Sequence, residues 1–81
     1  MKKLTTAEEQ VMQALWELEK GFVKEVIKKL TEQNPDEKPP AYNTVSTIIR
    51  ILDKKGFVGY KAFGKSHQYY PLVSKEAYSH A

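Results

Sequence analysis

Apolar residues recur with helical spacing along the first two-thirds of the chain. Val11, Met12, Leu15 and Trp16 fall at i, i+1, i+4 and i+5. Val23, Val26, Ile27 and Leu30 fall at i, i+3, i+4 and i+7, and Val45, Ile48, Ile49 and Leu52 repeat that spacing. Steps of three and four place side chains along one face of an α-helix. The pattern predicts a first helix from about Ala7 to Glu19 and a second from about Val23 to Glu32. A third is predicted to close at Gly56. Thr6 and Glu9 have the spacing of a capping box, in which each side chain bonds the other's N–H. Gly21 stands where a left-handed glycine ends a helix. Phe22-Val23 reads either as a two-residue strand or as the lead into the second helix. Three prolines between Asn34 and Pro40 make that stretch a loop, with Pro40 suited to the first turn of the third helix. Lys54 and Lys55 suit a helix C-terminus.

After Gly56 the period falls to two. Residues 57–62 and 67–72 are rich in aromatic residues and flank Phe63-Gly64-Lys65-Ser66, which predicts a β-hairpin. Tyr69 and Tyr70 are adjacent in a strand, so they face opposite ways and only one can enter the core. Ser74 is placed to cap a further helix as the chain ends. Helices that carry single stripes must pack together to cover them. The fold class is therefore mainly α with a small β-hairpin: a three-helix core plus a wing, the winged helix-turn-helix arrangement. The expected core is Met12, Leu15, Trp16, Val26, Ile27, Leu30, Val45, Ile48, Ile49 and Leu52, together with one of the two tyrosines. No repeat or low-complexity tract interrupts it.

Composition narrows the picture. A chain of 81 residues makes one small domain. The absence of cysteine excludes disulfides, thiolate metal sites and a cysteine nucleophile, and fits a cytoplasmic setting. No apolar run reaches the ~20 residues needed to span a bilayer, and there is no signal-peptide core at the N-terminus, so no membrane partner is expected. His67 and His80 have no carboxylate or cysteine at ligand spacing, so neither a metal nor any other cofactor is expected. Paired carboxylates, nucleophile–base pairs and phosphate-cradling glycine loops are also missing, which argues against an enzyme.

Charge is uneven. Residues 1–37 hold six Lys and eight Asp/Glu, a net of −2, whereas residues 38–81 hold seven Lys/Arg and two Asp/Glu, a net of +5. A basic half suggests a face for an anionic partner. On the third helix, the side opposite the apolar stripe carries Asn43, Ser46, Thr47, Arg50 and Lys54 and no acid. Such a surface suits the major groove of double-stranded DNA, where Asn pairs with adenine, Arg with guanine, and Ser and Thr are permissive. The expected base-reading set is Tyr42, Asn43, Ser46, Thr47 and Arg50. Asn43 is equally placed to cap the helix, and Tyr42 to cover its start. Lys38, Lys54, Lys55, Lys61, Lys65, Ser66 and His67 are the expected backbone and wing contacts. The rival reading is a winged-helix module that binds another protein without DNA, because a fold alone does not fix a function.

Four stretches resemble the penicillinase-repressor family: Thr6 to Trp16, Ala41 to Leu52, Lys54-Lys55-Gly56, and Gln68 to Ser74. The resemblance covers roughly Leu4 to Tyr78. It implies a bacterial repressor that binds a palindromic operator as a homodimer, and it favours Tyr70 over Tyr69 for the core. The connection from Leu30 to Thr44 is a few residues longer than is usual in the family. The family's dimerising and signal-sensing part lies C-terminal to such a head. Residues 1–73 are thus expected to be the DNA-binding domain, and 74–81 the start of a helix leading to a dimerisation region beyond this chain. The chain alone is expected to be monomeric.

Overall fold

Helix α1 (Thr6–Leu18) begins one residue before the predicted start, because Thr5 and not Thr6 is its N-cap. The Thr5 hydroxyl accepts from the Glu8 N–H at 3.2 Å, and the Glu8 carboxylate accepts from the Thr5 N–H at 2.8 Å. Two overlapping Thr-x-x-Glu patterns were available. This one puts Leu4, 5% exposed, into the core and aims Glu8 at Lys55. The α1 terminus also differs. Glu19 takes the positive φ (69°), and Gly21 does not. Gly21 instead exchanges two backbone hydrogen bonds with Tyr69, at 2.8 and 2.9 Å. The strand-like residue before the second helix is therefore Gly21, while Val23 is the first residue of α2 (Val23–Gln33). Glu25 reaches back to the Phe22 N–H at 2.8 Å and satisfies one orphan donor of that helix.

Asn34 through Ala41 form the connection to α3 (Tyr42–Lys54). Ala41 is the N-cap, so Pro40 lies just outside the helix and not in its first turn, and Asn43 does not cap it. Gly56, at φ 82°, turns the chain past the α3 C-terminus as predicted. Strands β1 (Val58–Phe63) and β2 (Ser66–Pro71) pair antiparallel, with Val58 opposite Pro71 and Phe63 opposite Ser66. Gly64 (φ 62°) and Lys65 make the two-residue turn, and glycine at the first position with positive φ is what a II′ turn requires. A short α4 (Lys75–Ser79) follows, with Ser74 capping it through the Ala77 N–H. The computed structural model describes residues 3–79. His80 and the last part of the predicted 74–81 segment lie outside the described residues.

Helices α1, α2 and α3 close around one core. Met12, Leu15, Val26, Leu30, Val45, Ile49 and Leu52 are buried there, with Val11, Ala14, Val23, Phe57 and Val58. Trp16, Ile27 and Ile48 are half-buried against it. The hairpin shows which tyrosine enters. Val58 is buried, and strand alternation then turns Tyr60, His67 and Tyr69 the same way. Tyr69 is 8% exposed and Tyr70 38%, so the assignment of Tyr70 to the core is corrected. Tyr70 lies across Gly59 on the outer face, its ring 3.0 Å from where a Cβ would stand.

The C-terminal segment is tied to α1. The Trp16 indole N–H donates to the Val73 carbonyl at 2.8 Å. The Tyr78 ring lies 5.9 Å from that of Trp16 and 6.1 Å from that of Phe57.

Candidate nucleic-acid interface

The apolar stripe of α3 is held against α1 and α2, so its opposite side must face solvent. Tyr42 (53% exposed), Asn43, Thr47, Arg50 and Lys54 are all exposed there, and Ser46 is half-buried. Arg50 has no ion-pair partner among the described residues. The Thr47 hydroxyl donates to the Asn43 carbonyl one turn back, at 2.8 Å. No acid stands in the first turn of α3, and its last turn ends in Lys54.

Beside this row runs a groove of about 470 Å³. Tyr42, Ser46 and Arg50 form one wall, spaced by four residues along α3. Lys65, Ser66, His67 and Tyr69 of the hairpin form the other, and Phe22 to Glu25 also line it. The hairpin wall is an aromatic stack. The His67 ring lies 4.5 Å from Tyr60 in a near-parallel arrangement, and Tyr60 is 5.9 Å from Tyr69. Burial pushes the Tyr69 phenol up, and the neighbouring Arg50 charge pulls it the other way. Glu25 brings a carboxylate to the groove that the acid-free reading of this face of α3 did not anticipate.

The expected cations do not all lie together. Lys65 occupies the turn and His67 faces the groove. Lys61 pairs with Gln68 on the outer face of the hairpin, its ammonium 5.5 Å above the Phe63 ring. Lys38 is exposed in the connection before α3. Lys55, expected on phosphate, is corrected to a structural role. Its ammonium bonds both Glu8 carboxylate oxygens at 2.9 Å. That pair, with the Thr5 N–H, holds the Glu8 carboxyl below the usual carboxylate range. A lysine's partner from another helix leaves no trace in local spacing, so only the packed structure reveals it. Among the described residues no group of three His, Asp or Glu is positioned to hold a metal, and no helix is long and apolar enough to cross a membrane.

Three packed helices, a hairpin beside the exposed face of the third, and the groove between them define a winged-helix domain. The same arrangement is found in the solution structure of the DNA-binding domain of the repressor BlaI. That structure matches 96% of this chain and 94% of its own, with 28% identity and a TM-score of 0.73. The structure of the CopR repressor matches 90% of this chain and all of its own, with 26% identity and a TM-score of 0.64. A search of the curated proteins found no match. The penicillinase-repressor family model matches residues 4–81, and the chain belongs to that family.

Proposed function

We propose that this chain is the operator-reading head of a transcriptional repressor, with α3 in the major groove of duplex DNA and the hairpin on the adjacent backbone. The observation that carries the reading is the exposed, acid-free row of α3, with Arg50 unpaired among the described residues beside a turn bearing Lys65. Family membership and the likeness to a repressor's DNA-binding domain support it. Tyr42, Asn43, Ser46, Thr47 and Arg50 face base edges. Lys54, Lys65, Ser66 and His67 meet phosphates. Residues 1–73 form the head, and the segment from residue 74, with the helix that Ser74 caps, leads toward a dimerising region, so that two copies read a two-fold operator. Linking two heads raises affinity without new contacts.

Duplex binding measured at two salt concentrations tests this. Phosphate contacts release counterions, so affinity should fall steeply between low and moderate salt. Arg50→Ala should weaken operator binding by about 1–3 kcal/mol and relax discrimination, whereas Lys65→Ala should weaken all duplexes alike and lower the salt slope by about 1. A flat salt response would overturn the reading, and so would a protein partner captured without any DNA retardation.

A further inference from the structure

Thr47 stands in the exposed row of α3, one turn after Asn43 and one turn before Arg50. Its hydroxyl carries a single proton, and that proton is committed to the Asn43 carbonyl at 2.8 Å. The oxygen therefore faces the α3 backbone and offers only lone pairs. What remains to project from this short, exposed side chain is its γ-methyl group. From Asn43 to Arg50 the helix rises about 10 Å, at about 1.5 Å per residue. That is about three base-pair steps of about 3.4 Å, and Thr47 falls near the middle of them.

In the major groove only thymine carries a methyl group, and guanine presents acceptors alone. A side chain without a free donor gains nothing from guanine. A projecting methyl gains apolar contact with the C5-methyl of thymine. We infer that Thr47 is a specificity-determining residue that selects thymine through this methyl–methyl contact, between the bases faced by Asn43 and Arg50. The inference rests on the DNA-binding reading above.

The test uses the 81-residue chain and duplexes recovered by it from a random pool. Each thymine is replaced in turn by deoxyuridine, which removes the methyl and keeps the O4 acceptor. One position in the half-site should lose about five-fold in affinity, in the range of a single base contact. Thr47→Val keeps the methyl and should keep that loss. Thr47→Ser removes it and should bind thymine and deoxyuridine duplexes equally. Circular dichroism confirms that both variants are folded. Three results overturn the inference: no position sensitive to deoxyuridine, a sensitivity unchanged in Thr47→Ser, or its disappearance in Thr47→Val, which would assign the contact to the hydroxyl. Failure to retard any duplex sinks the DNA-binding reading itself. Duplex binding without a methyl effect sinks only the role of Thr47.

Discussion

Among the described residues Glu8 is the buried charge, and Lys55 is what makes it tolerable. Removing one partner of such a pair strands the other, which costs more than the pair itself contributes. Glu8→Gln should lower stability at neutral pH by about 2 kcal/mol, the scale of a lost charge-assisted hydrogen bond. The carboxyl is held below its unfolded value, near ~4.3. Its contribution is therefore complete above that value and disappears as pH falls through the lower folded one. Denaturant titrations should show stability declining as pH drops below about 5, with a shallower decline in Glu8→Gln. A second residue carries strain. Glu19 holds a positive φ that disfavours any side chain with a Cβ. Glu19→Gly should stabilise by about 0.5–1 kcal/mol, read as a rise of several degrees in Tm. By contrast, the Glu17–Lys29 pair at 3.2 Å, with Glu17 exposed and Lys29 half-buried, should respond weakly to substitution.

Each element is legible in the sequence to the extent that its pattern is local. Helices α2 and α3 and the hairpin follow from spacings of three, four and two, and Gly56 and Gly64 take the positive φ that their positions predict. Three of the departures have long-range causes. Whether Thr5 or Thr6 caps α1 depends on what Leu4 and Glu8 meet in the fold. Gly21 is claimed by β2, nearly fifty residues later in the chain. The parity of Tyr69 and Tyr70 follows from the burial of Val58 and the length of the turn, which the alternation of residues cannot supply. Of the expected wing contacts, Lys61 and His67 belong to different faces because their strands are paired, a fact invisible until the register is known. The hairpin offers its own check. Gly64→Ala should cost about 1 kcal/mol, because no atom obstructs a Cβ there and only the backbone conformation resists it. A normal tolerance of alanine, measured by thermal unfolding, would contradict the turn assignment.

For the whole molecule, the lopsided charge seen along the chain acquires a geometry. The basic half supplies α3, the turn of the hairpin and both long walls of the groove, while Glu9 and Glu17 lie on α1 and Glu32 on α2. Part of the site was readable because α3 exposes a complete helical face. The groove was not, since it is made by elements that meet only after folding. The far end of the molecule has a further property. Trp16 is the sole tryptophan, and it is joined to the segment after the hairpin through Val73 and to α4 through Tyr78. The protein thus contains an intrinsic optical reporter of the attitude of its last helix. Excited at wavelengths that tyrosine does not absorb, Trp16 should emit at longer wavelength whenever that helix detaches. Tyr78→Ala should produce the same red shift in the resting protein while leaving the hairpin and α3 in place.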